Sequence, residues 1–110
     1  MKIFFKSNKL ERQLTEPASI KRAYGTMAKA VYQRIKEMKA SENLEIFMTI
    51  PAARCHELSG KLSGFFAATV SKNFRMIFTP SHNPLPLKSD KGLDLQKITS
   101  ITILDIEDYH

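Results

Sequence analysis

Phe65-Phe66-Ala67-Ala68-Thr69-Val70-Ser71-Lys72-Asn73-Phe74-Arg75-Met76-Ile77-Phe78-Thr79 is the stretch that decides the fold. Two apolar runs rich in strand formers, Phe65 to Val70 and Phe74 to Thr79, flank the polar Ser71-Lys72-Asn73. Such runs joined by a short polar link predict an antiparallel hairpin. Downstream, Ile98 to Ile106 reads as a final strand, and the Ile- and Phe-rich residues 1 to 6 read as a short first one.

Upstream of the hairpin the period changes from two to three and four. Ile20, Tyr24, Met27, Val31, Ile35 and Met38 fall on one helical face, with Lys21, Lys29, Arg34 and Lys36 largely elsewhere. Gly25 weakens this helix and is its expected bend. A shorter helix is expected from Asn8 to Glu16, ended by Pro17. After Ser41 comes a connector carrying Leu44, Ile46, Phe47, Met48 and Ile50 and closed by Pro51. The segment Pro80 to Lys97, with Pro84, Pro86 and Gly92, reads as a long loop. The expected order is β-α-α-β-β-β: an α+β domain with two N-terminal helices packed on a mostly antiparallel sheet, residues 1–110 forming a single domain.

The net charge of +6 favours a polyanionic partner, because a basic surface releases the counterions of a phosphate chain on contact. Its distribution is uneven: residues 1–39 hold ten Lys or Arg against three Glu. Any single lysine there is first of all part of a solvated helix face. Cys55 is alone, which excludes an internal disulfide, and no paired Cys/His spacing suggests zinc; a reduced, cytoplasmic setting is expected. Met1 to Lys6 is too short and too soon charged for a secretory signal, and no apolar run approaches a membrane span.

Three places carry residues suited to chemistry. If Arg54 to Leu58 is extended, alternation sends Arg54, His56 and Leu58 to one side and Cys55 and Glu57 to the other. Taken alone, His56 reads more simply as a surface or capping histidine. Arg75, at the start of a strand, can grip a phosphate through parallel hydrogen bonds, or equally make a surface salt bridge. The terminal Asp108-Tyr109-His110 adds a proton-transferring imidazole and an aromatic ring. RNA carries its own nucleophile, the ribose 2′-hydroxyl, so cleavage needs a base, an acid and positive charge on the phosphate, with no metal or other cofactor. His82, within the proline-rich loop, is incidental to this reading.

The blocks Arg54-x-His56-x-Leu58-x-Gly60-x-Leu62-x-Gly64-Phe65, Asn73-Phe74-Arg75-Met76-Ile77-Phe78 and Asp108-Tyr109-His110 resemble the HigB-like toxins, or plasmid maintenance system killer proteins, of the RelE/ParE superfamily. By motif the resemblance covers roughly the second half of the chain. It implies a bacterial, cytoplasmic type II toxin that enters the ribosomal A site, cuts translated mRNA and is neutralised in a hetero-oligomer with a helix-turn-helix, HigA-like antitoxin. It also implies an active surface of His56, Arg75, Asp108, Tyr109 and His110. Arg75 would hold the scissile phosphate, the histidines and Tyr109 would share proton transfer and stacking, and Asp108 would orient a neighbour. Arg54, Lys61 and Lys72 are the candidate RNA-binding cations. The chain departs from the family at Ser59, where a lysine is common, and Lys61 or Lys72 would supply the missing charge. Two other readings are a ParE-like DNA gyrase poison on the same fold and a non-catalytic basic RNA-binding domain.

Overall fold

The computed structural model describes residues 1–108. Five strands form one sheet in the order β1-β5-β4-β3-β2, where β1 is Lys2–Phe5, β2 His56–Glu57, β3 Phe66–Thr69, β4 Phe74–Pro80 and β5 Ser100–Asp108. Among the described residues only β1 and β5 run parallel; every other neighbouring pair is antiparallel, in line with the mostly antiparallel sheet expected from the sequence. The hairpin joins β3 to β4, and its turn is closed by the amides of Val70 and Ser71, which donate to the Phe74 carbonyl at 3.0 and 3.3 Å.

Before the hairpin lie helices α1 (Asn8–Thr15), α2 (Pro17–Tyr24) and α3 (Ala28–Ala40). Ser7 starts α1 by accepting the Leu10 amide at 3.1 Å, and Pro17 occupies the first turn of α2, where no amide hydrogen is needed. The long helix read from Ile20 to Met38 is divided rather than bent. Gly25 adopts φ +54° and ψ −120°, a conformation open to glycine and costly for any residue with a Cβ, so α2 ends there and a single 3-10 turn leads into α3. The apolar face survives the break: Ile20, Val31, Ile35 and Met38 are all buried.

Arg34 departs from its expected place on the solvent side. It is buried, and its Nε donates to the Thr69 carbonyl at 3.0 Å while Nη1 pairs with Glu37. A guanidinium tolerates such a position only because a carbonyl and a carboxylate replace its water. The connector after Ser41 also holds structure. Asn43 accepts the Ile46 amide at 3.0 Å and caps the one-turn helix α4 (Leu44–Phe47), which buries Leu44 and Phe47. Phe47 meets Phe78 edge-on at 6.0 Å, and Phe78 stacks on Phe66 at 5.7 Å.

One face of the sheet, with Phe66, Ala68, Met76, Phe78, Ile101 and Ile103, makes the main core with the helices. The opposite face carries a smaller cluster of Leu58, Ala67 and Ile77, with Phe65 and Leu104 half-buried around it. A bulge in β5 links the two faces: Ile77 pairs with Asp105 but Phe78 pairs with Ile103, leaving Leu104 as the extra residue. Leu104 and Asp105 consequently both reach the open face, and Ile106 returns to the core side.

The Pro80 to Lys97 loop is organised around a small bridge between Leu87 and Leu93. His82 has a structural part in it. Its Nε2 accepts the amides of Thr99 and Ser100 at 3.0 and 3.3 Å, anchoring the loop to the start of β5.

Candidate functional site on the open face of the sheet

Strand register decides which side chains meet. Ala67 pairs with both His56 and Ile77, and Arg75 pairs with Thr69 and Glu107. Directly paired residues share a face and every second residue along a strand returns to it, so His56, Arg75 and Glu107 all belong to the open face. Two strands of lateral offset and two residues of axial offset separate the Cα atoms of His56 and Arg75 by about 12 Å. That span lets both side chains reach one nucleotide step without pairing with each other.

The β2 segment differs from a simple extended run. Arg54 is left-handed, with φ 44° and ψ 42°, and the strand begins only at His56. Alternation therefore does not put Arg54 beside His56. What joins the two is the backbone: His56 Nδ1 lies 3.0 Å from the Arg54 carbonyl. A carbonyl can only accept, so this contact places a proton on Nδ1 and directs Nε2 away from the backbone as the exchangeable position. Leu58, two residues on, is buried in the open-face cluster, whereas His56 itself is exposed.

Glu57, which the sequence reading passed over, holds the glycine-bearing segment that follows. Its Oε2 accepts the Gly64 amide at 3.0 Å and lies 3.4 Å from the Ser63 hydroxyl. Lys61 sits in the 3-10 turn Gly60–Leu62 that Glu57 thereby fixes, and both Lys61 and Ser59 are exposed.

At the other end of the face, Arg75 leaves β4 half-buried and folds its guanidinium over the hairpin turn. Nη1 donates to the Ser71 and Phe74 carbonyls, each at 3.1 Å, with the Lys72 carbonyl at 3.5 Å. The head group is thus held by backbone oxygens beside the exposed Lys72. Asp108 closes β5 opposite Phe74, one residue past the Arg75 partner Glu107, and so falls on the other side of the pleat from Arg75. Tyr109 and His110 lie outside the described residues.

The same face carries a groove of about 260 Å³, lined by neither His56 nor Arg75. Its floor is apolar, made by Leu58, Leu62, Phe65, Ile77 and Leu104, and its rim carries Lys6, Asp105 and Glu107. The sequence reading did not find Lys6, Phe65, Asp105 or Glu107. A signal was present for the last two: Ile101 and Ile103 are in phase and Ile106 is out of phase with them, which requires a bulge if all three face the core. A larger concavity, about 560 Å³, lies between α1 and α2 and is lined by Lys9, Arg12 and Arg22. It forms part of the basic N-terminal surface and shares no lining residue with the open-face groove.

Chemically, the face combines a fixed cation, an imidazole with one ring nitrogen tied to the backbone, and an apolar floor with an aromatic ring. Those are the parts for holding a phosphodiester, moving a proton beside it and seating a base.

Comparison with known proteins places these features in context. A family described as the RelE-like toxin of type II toxin-antitoxin system HigB matches residues 3–85. No curated protein sequence matches the chain. Among solved structures, a YoeB/ParE toxin from Agrobacterium tumefaciens is similar with a TM-score of 0.56 and 11% identity, covering 100% of both chains. A YoeB-YefM complex from Staphylococcus aureus is similar with a TM-score of 0.56 and 14% identity, covering 100% of this chain and 97% of that one. At these identities the structural likeness bears on the fold.

Proposed function

From a chain that belongs to the HigB-like family of RelE-like toxins of type II toxin-antitoxin systems, we propose a ribosome-dependent mRNA endonuclease that arrests translation. The observation that supports this reading is the shared open face, which carries His56, Arg75 and a groove of about 260 Å³ whose apolar floor includes the ring of Phe65.

In the proposed reaction the ribose 2′-oxygen attacks the adjacent phosphorus as its proton passes to a base. The bond from phosphorus to the 5′-oxygen breaks, and that oxygen takes a proton from an acid. The products are a 2′,3′-cyclic phosphate and a 5′-hydroxyl. His56 Nε2, Tyr109 and His110 are the proposed proton carriers and stacking groups, and Arg75 neutralises the charge that builds on the phosphoryl oxygens. Asp108 is proposed to orient a neighbouring group at the end of β5. Arg54, Lys61 and Lys72 supply longer-range attraction for the strand.

So small a set of groups does not by itself hold a flexible RNA for in-line attack, and alignment is worth as much as the proton transfers. The ribosomal A site is proposed to provide it. The proposed partner in the resting cell is a helix-turn-helix antitoxin in a cytoplasmic hetero-oligomer, which the toxin-antitoxin family supports.

The test is to express the chain under tight control and map transcript ends by primer extension, alongside cleavage of the same transcript free and on purified translating ribosomes. Cleavage that is strong on ribosomes and weak on free RNA is the expected result. Equal rates on both substrates overturn the ribosome-dependent reading, and gyrase-dependent DNA breaks without mRNA cleavage establish the gyrase poison in its place.

A further inference from the structure

We propose that the open-face groove is a base-selecting subsite, in which Glu107, assisted by Asp105, favours a nucleobase bearing an exocyclic amino group over uracil. The inference rests on the endonuclease reading above and names which part of the RNA the groove takes.

Three observations carry it. First, Glu107 is the direct cross-strand partner of Arg75, so their Cα atoms stand roughly 4.5–5.5 Å apart on one face. A phosphate gripped by Arg75 therefore brings its own nucleoside to Glu107. Second, the groove has the wrong charge for a phosphate. Two carboxylates on its rim repel the backbone, whereas its floor of Leu58, Phe65 and Leu104 suits the flat face of a base. At about 260 Å³ it falls just below the ~300–1,000 Å³ of ordinary ligand pockets, room for one base rather than a stacked pair. Third, the β5 bulge turns Leu104 and Asp105 to the same side, placing an apolar contact and an acceptor next to each other. Asp105 Oδ1 already accepts the Ile106 amide at 2.8 Å, which restrains its carboxylate at the groove's rim. Lys6 stands on the rim as well and limits the net negative charge there.

A carboxylate only accepts hydrogen bonds. Adenine and cytosine offer an amino group, and guanine offers an amino group beside a ring N–H, whereas uracil presents mainly carbonyl oxygens. Opposed acceptors repel, so discrimination comes from rejection of uracil as much as from attraction of the others.

The experiment uses the full chain on purified ribosomes programmed with mRNAs that differ only in the A-site codon, each position carrying each of the four bases in turn. Single-turnover cleavage is compared for the wild type, Glu107→Gln, Glu107→Ala and Asp105→Asn. At one codon position the wild type should cut amino-bearing bases faster than uracil by on the order of tenfold or more. Glu107→Ala should collapse that ratio to within about threefold, and Asp105→Asn should reduce it less. A purely structural loss would slow all four bases alike and leave the ratio standing, which overturns the inference; Glu107→Gln, close in shape, provides the same ratio if the alanine variant folds poorly. Wild-type cleavage indifferent to the base also overturns it. If the wild type cuts no ribosome-bound mRNA at all, the endonuclease reading itself falls and the subsite with it.

Discussion

Replacing Arg75 by alanine separates two duties of this residue, one seen in the structure and one proposed. One duty is local: Nη1 binds the Ser71 and Phe74 carbonyls at 3.1 Å and so holds the β3–β4 turn. Two such bonds on a half-exposed surface contribute about 1–2 kcal/mol net. Their loss lowers Tm by roughly 5–15 °C in a domain of this size. The other duty is proposed, stabilising charge on the transferring phosphoryl group, and removing one such donor costs about 2.7–4 kcal/mol, or on the order of 10²–10³ in rate. These magnitudes keep the effects apart. A domain with a stability of ~5–15 kcal/mol that loses about 2 stays overwhelmingly folded at 25 °C, so unfolding cannot account for a hundredfold fall in rate. Ribosome-bound cleavage followed by primer extension, with melting followed by circular dichroism, reads both quantities. Arg75→Lys should fall between, since it keeps the charge and loses the fork. An alanine variant that is folded and cuts within tenfold of the wild type would refute the catalytic assignment and leave Arg75 as a turn residue.

Further outcomes follow from other positions. Gly25→Ala meets open space but a φ of +54°, so it should cost about 1–3 kcal/mol through backbone strain alone, seen as a lower Tm with no change in cleavage at 25 °C. Burial raises the Cys55 thiol from 9.0 to about 12, so its contribution to stability is complete below pH 9 and fades between pH 9 and 12 as the unfolded chain ionises first; the alkaline fall in Tm should be shallower in Cys55→Ala, and an identical profile would contradict this. Deleting Tyr109 and His110 should abolish toxicity while shifting Tm by no more than a few degrees, because the core that Ile101 and Ile103 make with the helices is left intact. A truncated chain that still arrests growth by cutting mRNA would move the proton transfers onto His56.

Much of the fold was legible because its signals are local. The hairpin around Ser71-Lys72-Asn73, the final strand and the apolar helix face from Ile20 to Met38 each follow from the period of apolar residues, and each is present. Legibility failed where a long-range partner overrides a local preference. Glu37 is a local i,i+3 partner in α3, but nothing local shows that the Thr69 carbonyl awaits Arg34 inside the fold. At Arg54 the alternation rule fails because a left-handed residue precedes the strand, and its carbonyl reaches His56 as an acceptor. For the candidate site, His56 and Arg75 were found by residue type and do share a face. The groove on that face could not be read, since its lining joins β4 and β5 to residues next to the ends of β1, β2 and β3.

The phase break in β5 explains why that groove exists. A strictly alternating strand with Ile101 and Ile103 in the core would send Asp105 inward, where an unpaired carboxylate is costly, and Ile106 outward. Inserting Leu104 as a bulge resolves both conflicts, because Asp105 turns to the open face and Ile106 reaches the core. The same insertion sets Glu107 opposite Arg75 and leaves Leu104 over Leu58 and Ile77 as part of the apolar floor. One extra residue thus serves the packing on one side of the sheet and shapes the surface on the other. Deleting Leu104 would remove the bulge and let plain alternation keep the same pairs, with Asp105 opposite Ile77, Ile106 in the core and Glu107 opposite Arg75, so the loss should fall on the apolar floor of the groove rather than on the register.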